Sequence, residues 1–288
     1  MKRREVVKNI SFIAGAMAIT NRALAEPSTT EIGSESDIKH SVCRWCYNDI
    51  DIEVLCEAAQ QMGIKSVEIV GPEVWPTLRK YNLDCGMATD SFANISKGFN
   101  DPSLHAHLQP NYKGLIKAAA DNGVPNVIVF SGNRNGMKDS VGLENCAIGL
   151  EPLVKYAEEL GVNVVMELLN SKVNHKDYMC DLTPWGVELV EKIGSPRFKL
   201  LYDIYHMQIM EGDVIATIRD NHQYFAHYHT GGVPGRHEID ESQELYYPAI
   251  VKAIRDTGFQ GYLAQEFIPA RKDKLASLKQ GVEICTLS

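Results

Sequence analysis

Short apolar runs alternate with amphipathic stretches from residue 40 to the carboxyl end of the chain. Eight of these runs are rich in Val, Ile, Leu, Phe and Tyr and have the length of buried strands. Each run precedes a stretch with helical spacing of its apolar residues, and Gly63 and Gly161 are placed to end two of the helices. The predicted strands cover residues 41–45, 66–70, 84–89, 126–130, 163–168, 197–202, 225–229 and 261–267. The predicted helices cover residues 51–62, 73–81, 103–121, 144–160, 184–193, 211–220, 246–257 and 271–284.

This alternation predicts a parallel sheet that is covered by helices. Eight strand–helix units within about 250 residues are the number that closes a (β/α)8 TIM barrel, so residues 40–288 are predicted to form one α/β barrel domain. A doubly wound open sheet is the alternative. It usually carries a glycine-rich phosphate loop after its first strand, and the glycine-containing segment 132–136 instead follows the fourth strand with the wrong spacing. The pattern therefore favours the barrel.

The amino end has a different composition. Basic residues at positions 2–4 precede an apolar run over 10–19, and the small-x-small sequence 23–25 follows. This order is typical of an export signal peptide and resembles the twin-arginine type, with Lys2 where Ser or Thr is expected. The apolar run is shorter than the roughly 20 residues that span a bilayer, so stable membrane insertion after cleavage is not expected. A basic amphipathic helix of the fold itself is the alternative.

Residues 26–39 are small and polar and are predicted to form a linker between the signal and the barrel. The signal predicts an exported and periplasmic protein.

The net charge of the chain indicates which partners to expect. The whole chain has a formal net charge of −8 and residues 1–25 have a net charge of +4, so the remainder has a net charge of −12. Since nucleic-acid binding depends on Lys and Arg that neutralise phosphates, a nucleic-acid partner is not expected.

The seven cysteines are scattered and odd in number, which is unlike a disulfide framework. Cys43 and Cys46 have the spacing of a redox or zinc motif. A redox pair of the thioredoxin type begins a helix, however, and this pair lies within the predicted first strand. A second CxxC for zinc is absent from the sequence. Buried strand cysteines are the favoured interpretation.

Four polar residues end four successive predicted strands: Glu167, Asp203, His229 and Glu266. The active site of a TIM barrel lies at the carboxyl ends of its strands, so these side chains are expected to converge at one mouth. Three carboxylates and one imidazole suit one Mn, Mg, Co or Zn ion. The alternative is that each is an isolated polar residue, but four uncompensated groups in consecutive register would include mutually repelling acids. The pattern favours a metal site.

Five further residues are candidates for substrate binding, although each is also compatible with a surface loop. Glu68 lies in the predicted second strand, and Asn170 lies just past Glu167. His206 lies in the loop above the predicted sixth strand. Arg236 and His237 follow the Pro-Gly turn after the predicted seventh strand. His227 shares the strand face of His229 one layer deeper, which favours a supporting or core role.

The stretch from about 160 to 270 resembles the hydroxypyruvate isomerase branch of the xylose-isomerase-like sugar isomerase/epimerase barrels. The matching motifs are YDIYHMQ at 202–208 with MEG at 210–212, VPGRHE at 233–238, ELYYP at 244–248 and QEF at 265–267. The resemblance implies a TIM-type barrel with one divalent metal on Glu167, Asp203, His229 and Glu266. It also implies that Glu167 and Glu266 act as the acid/base pair, and that His206 and Arg236 contact substrate oxygens.

The chain departs from this branch in three places. His229 stands where hydroxypyruvate isomerases have Gln, as in keto-sugar epimerases. Residues 87–90 lack the His that those isomerases carry after the third strand, and the loop over 168–182 is longer. These departures, together with the export signal, leave the substrate open.

We therefore expect a metal-dependent isomerase or epimerase of a small hydroxy-carbonyl compound or keto-sugar, acting through an enediolate. The resemblance also allows a homo-oligomer. An exported, catalytically idle sugar-binding protein of the same fold is the alternative. A phosphodiesterase resembling endonuclease IV would need more histidine ligands and a basic DNA-binding face, and the acidic charge argues against it.

Overall fold

One parallel sheet forms the centre of the computed structural model, which describes residues 38–286. Within this part of the chain the sheet has seven strands in the order β2-β1-β7-β6-β5-β4-β3. The strands are β1 Lys39–Cys43, β2 Ser66–Glu68, β3 Asn126–Val129, β4 Asn163–Leu168, β5 Phe198–Asp203, β6 Phe225–Thr230 and β7 Tyr262–Gln265.

The predicted third strand, 84–89, is reduced to single bridges. Asp84 pairs with Ser66 of β2, and Ala88 pairs with Val70 on one side and with Val127 of β3 on the other. Side chains replace part of the regular ladder here, since the Ser66 hydroxyl accepts from the Gly86 amide at 2.7 Å. The segment therefore joins β2 to β3 and completes the circle, which confirms the TIM barrel and corrects one of its eight strands.

Helices follow the strands. Their bounds are α1 Ile52–Gln61, α2 Trp75–Lys80, α3 Pro102–Asn122, α4 Asp139–Leu160, α5 Thr183–Ile193, α6 Ile204–Met210, α7 Val214–Asn221, α8 Tyr247–Asp256 and α9 Lys274–Cys285. The α4 helix begins five residues before its predicted start at 144. Gly63 and Gly161 follow α1 and α4, and both have positive φ, as expected of residues at helix ends.

The helix predicted over 211–220 is wrong in its start, and an additional helix precedes it. The Asp203 carboxylate accepts from the His206 amide at 3.2 Å, so α6 begins directly at the end of β5. Gly212 and Asp213 have φ of 69° and 43°, a left-handed backbone that separates α6 from α7. This correction moves His206 from a loop into the first turn of a helix.

Strand register sets the height of the polar residues in the barrel. Asp203 of β5 lies opposite His229 of β6, and Glu167 of β4 lies opposite Leu201 of β5. Glu167, Asp203 and His229 each lie within the last two residues of their strands, so their side chains can share one site.

The predicted signal at 1–25 lies outside the described residues, as does the predicted linker up to residue 37. Among the residues that are described, none of the helices is both long and apolar enough to cross a membrane.

Candidate active site

The four predicted metal ligands lie together at the carboxyl ends of neighbouring strands. Glu167 comes from β4, Asp203 ends β5, His229 belongs to β6 and Glu266 directly follows β7. One ligand atom of each lies within 4.8 Å of one ligand atom of every other. All four side chains are buried, with at most 5% of any of these residues exposed. Three acidic groups thus share a desolvated space, which is costly without a cation.

Both ring nitrogens of His229 face carboxylates. Nδ1 lies 2.8 Å from Glu266 Oε2 and 3.6 Å from Glu167 Oε1, while Nε2 lies 2.9 Å from Glu68 Oε1. A neutral imidazole has one N–H donor. If Nε2 donates to Glu68, the Nδ1 lone pair points at two carboxylates, an arrangement that a shared cation makes favourable. The donor set therefore fits one divalent ion on Glu167, Asp203, His229 and Glu266.

Arg236 is the one side chain described in this cluster with a permanent positive charge. Its Nη2 lies 3.0 Å from Asp203 Oδ2 and also donates to Glu266 Oε2. The guanidinium lies between two aromatic rings, 5.1 Å from the centre of Trp45 and 5.2 Å from that of Tyr205. Such stacking holds the planar group in one orientation. Arg236 therefore lies beside the candidate ligands, and its role as a substrate contact stays a prediction.

The environments of the acids separate their pKa values. Burial raises the pKa of Asp203 to about 8 against the opposing charge of Arg236. Burial also raises the pKa of Glu167, and the hydrogen bond to His229 offsets only part of the increase. For Glu266 burial acts in the same direction, but Arg236 and His229 more than offset it and bring its pKa well below the usual value. Carboxyl groups with opposite shifts are suited to opposite roles in proton transfer.

His206 presents one unpartnered nitrogen beside the cluster. The Asn170 side-chain oxygen accepts from the Val173 and Asn174 amides, so its NH2 group faces His206 Nδ1 at 2.6 Å. His206 Nδ1 is thus the acceptor and Nε2 carries the proton. That Nε2 is buried without a hydrogen-bond partner, 3.6 Å from Asp203 Oδ2. Burial lowers the pKa of His206 well below its usual value, which keeps the ring neutral.

Two of the predicted substrate-binding residues do not lie beside the unpartnered His206 nitrogen. Glu68 is fully buried and bonded to the far side of His229. His237 is exposed, and its Nδ1 lies 2.9 Å from the Ile268 carbonyl oxygen. Their roles as substrate contacts remain predictions.

A family model described as xylose isomerase-like TIM barrel matches residues 56–285, which is most of the chain. The chain belongs to this family. The match covers all four candidate ligands in this xylose isomerase-like barrel, together with His206 and Arg236.

Named relatives of this xylose isomerase-like barrel include isomerases. A human protein provisionally named hydroxypyruvate isomerase is 24% identical over 248 residues, which cover 84% of each chain. A 2-oxo-tetronate isomerase from Pectobacterium atrosepticum is 25% identical over 240 residues, 78% of this chain and 90% of its own.

Solved structures share the fold at lower identity. A family 2 AP endonuclease from Brucella melitensis has a TM-score of 0.75 and 22% identity, covering 84% of this chain and 97% of that one. D-psicose 3-epimerase from Clostridium cellulolyticum H10 has a TM-score of 0.70 and 17% identity, covering 87% and 100%. These likenesses show the fold.

Trp45 is a site residue that the sequence analysis did not identify. Its Nε1 donates to Glu266 Oε1 at 2.7 Å, and its ring stacks on Arg236. Trp45 lies between Cys43 and Cys46, and the interpretation of that segment considered only the cysteines. Cys43 ends β1 and both cysteines are free and buried, but residues 44–47 form a 3₁₀ turn, so placing the whole pair in a strand was wrong. The position directly after a barrel strand was the available signal.

Proposed function

We propose that this protein is a divalent-metal-dependent isomerase or epimerase of a small hydroxy-carbonyl compound, similar in reaction to hydroxypyruvate isomerase. The observation that carries the proposal is the convergence of Glu167 and Glu266 with Asp203 and His229 at one barrel mouth. Two carboxyl groups at one ion can serve a proton transfer that needs both an acid and a base. The names of the relatives point to the same reaction class.

The substrate class follows from these names and from the charge at the mouth. Hydroxypyruvate and 2-oxo-tetronate are both short hydroxy-oxo acids. Arg236 and the neutral His206 provide hydrogen-bond donors for carbonyl, hydroxyl or carboxylate oxygens. A keto-sugar is the second candidate, because His229 replaces the Gln of hydroxypyruvate isomerases.

A bound divalent ion would polarise the substrate carbonyl and stabilise the negative charge of an enediolate. The protein groups perform the remaining steps. One of the two glutamates, Glu167 or Glu266, removes the proton from the carbon next to the carbonyl. In an epimerisation the other glutamate returns a proton to the opposite face of that carbon. In an isomerisation a proton is added to the former carbonyl carbon, while the proton of the neighbouring hydroxyl moves to the former carbonyl oxygen. The His206 Nε2 hydrogen is oriented to bind a substrate oxygen, and Arg236 holds a second oxygen.

The decisive experiment combines metal analysis with proton exchange. About one Mn, Mg, Co or Zn ion per purified full chain is expected, and it should be lost in the Asp203→Asn/His229→Ala double variant. In deuterated water, the wild type with hydroxypyruvate or a keto-sugar should incorporate deuterium next to the carbonyl. Absence of metal from a folded wild-type chain would reject the proposal. Ligand binding without exchange would instead favour a catalytically idle sugar-binding protein.

The location is also part of the proposal. We propose export to the periplasm by a twin-arginine pathway, which is supported by the basic residues at 2–4, the apolar run at 10–19 and the small residues at 23 and 25. Replacing Arg3 and Arg4 with Lys should retain the full-length precursor in the cytoplasm, as followed by cell fractionation.

A further inference from the structure

Glu68 reaches His229 from the opposite part of the sheet. It is the last residue of β2, whereas His229 belongs to β6, and β1 and β7 lie between these strands in the sheet order. Glu68 Oε1 nevertheless lies 2.9 Å from His229 Nε2. Since two strands separate them along the sheet, the contact crosses the barrel interior. It holds the ring nitrogen that faces away from the other candidate ligands.

Both carboxylate oxygens of Glu68 already have donors. The Ser41 hydroxyl donates to Oε2, while the Nε2 atoms of His227 and His229 lie 2.7 and 2.9 Å from Oε1. Glu68 has no exposed surface. A carboxylate that is enclosed and fully bonded in this way is poorly placed to receive a substrate. The hydrogen bond to Oε1 instead connects Glu68 to His229, one of the four candidate metal ligands.

We propose that Glu68 is a positioning residue, which holds the His229 ring so that Nδ1 faces Glu167 and Glu266. This inference rests on the proposed function for the role of the ion. Half a turn of an imidazole about its bond to Cβ would place a carbon where Nδ1 now lies, so only one orientation offers a nitrogen to the cluster. The hydrogen bond from Nε2 to Glu68 selects that orientation and the matching tautomer.

His227 supports Glu68 in this role. It lies two residues before His229 on β6 and therefore on the same face of the strand. Its ring centre is 5.1 Å from that of His229, and both rings contact the same Glu68 oxygen. Ser41 fixes the second oxygen from β1. Donors from two strands thus keep the carboxylate aimed at His229 Nε2.

The test is the dissociation constant for Mn²⁺ of the full chain, measured by titration calorimetry for wild type, Glu68→Gln and Glu68→Ala. Loss of a hydrogen bond to a ligand histidine typically weakens metal binding about 10–100-fold, and we expect this range for Glu68→Ala. Turnover of this variant should recover when the metal concentration is raised, since the groups that move protons are unchanged. Wild-type affinity in both variants would overturn the proposal.

Thr230→Val is the matched control. Thr230 is also fully buried and adjoins His229, but its hydroxyl donates to Gln265 at 2.9 Å rather than to the cluster. We expect a similar loss of thermal stability with wild-type metal affinity. Equal weakening of metal binding in the control would show a general structural effect and overturn the proposal.

The orientation of the His229 ring provides a readout that does not depend on metal. In a crystal structure of metal-free Glu68→Ala, we expect the ring to be rotated or to occupy two orientations. If the wild type binds no metal, the proposed function fails, and this structure still decides the role of Glu68. A ring that keeps the wild-type orientation without Glu68 would overturn the positioning role.

If Glu68→Ala does not fold, the milder Ser41→Ala variant, which removes one hydrogen-bond donor to Glu68, replaces it. We expect this variant to bind the metal more weakly than the wild type. Unchanged metal affinity in Ser41→Ala would overturn the proposal.

Discussion

The amide of Asn170 determines which nitrogen of His206 carries the proton. Its oxygen is used by two backbone amides, so only its NH2 group can face His206 Nδ1. The proton then lies on Nε2, the nitrogen beside Asp203 that has no hydrogen-bond partner in the structure. The proposed donation from His206 to a substrate therefore depends on the orientation of the Asn170 side chain.

An Asn170→Asp substitution should reverse this arrangement. The new carboxylate oxygen would accept from Nδ1, so Nε2 of a neutral ring would lose its proton and could no longer donate. We expect KM to rise about tenfold, equivalent to about 1.4 kcal/mol for one lost hydrogen bond at a buried site. Steady-state kinetics at saturating metal would measure it. Unchanged KM would contradict the proposed role of His206, and metal affinity serves as the control because it should not change.

A substitution of Glu266 should separate metal binding from proton transfer. Glu266→Gln retains an oxygen ligand and the shape of the side chain but cannot exchange a proton, so we expect metal binding with a loss of turnover of about 10²–10⁴-fold. Deuterium incorporation into the substrate would measure the proton-transfer step. The exposed Glu241→Gln is the matched control and should have wild-type activity. Near-normal exchange in Glu266→Gln would reject the acid/base assignment.

At the scale of elements, the segment before α3 packs its backbone directly against the end of β3. The Phe99 and Asn100 amides donate to the Phe130 and Ser131 carbonyls at 3.1 and 2.8 Å. A Cβ atom on Gly98 would lie 2.2 Å from the Phe130 carbonyl oxygen, well inside van der Waals contact. Only glycine allows this approach, which places α3 against the barrel.

Two glycine substitutions should therefore have opposite effects. Gly98→Ala forces backbone to move and should lower the free energy of unfolding by about 1–3 kcal/mol or more. Gly114→Ala lies within α3, where an added Cβ meets no atom within 4 Å, and should raise it by about 0.5–1 kcal/mol. Chemical denaturation of both variants would measure the difference. Equal effects of the two changes would contradict the close approach at Gly98.

At the scale of the whole molecule, a metal that joins four strands should stabilise the barrel, because it binds the folded chain alone. An ion present at about 100 times its dissociation constant adds about 2.7 kcal/mol. For a domain of about 250 residues this is a rise in Tm of roughly 5–10 °C. Differential scanning calorimetry before and after a chelator would measure the change.

The Asp203→Asn/His229→Ala double variant is the control for this effect, and its Tm should not respond to the ion. A wild-type Tm that is insensitive to Mn, Mg, Co and Zn would contradict the proposed site. A response that persists in the double variant would place the ion elsewhere.

The barrel and the positions of the four candidate ligands could be predicted from the order of residues. Period and length of the apolar runs distinguish strands from helices, and a parallel barrel brings all strand carboxyl ends to one mouth. Glu167, Asp203, His229 and Glu266 lie together for that reason. The prediction was weaker where side chains replace the backbone ladder, as at 84–89, and where a cap creates a short helix, as at Asp203.

Tertiary structure alone decided which groups surround the candidate ligands. Glu68 and His229 are 161 residues apart and meet across the barrel interior, while Trp45 reaches Glu266 from a turn after β1. Periodicity shows which face of a strand a residue occupies, but closure of the barrel determines which distant side chains share that face. Local sequence therefore determined the elements and the chemistry at their ends. The packed barrel determined the hydrogen bonds that orient His229, His206 and Arg236.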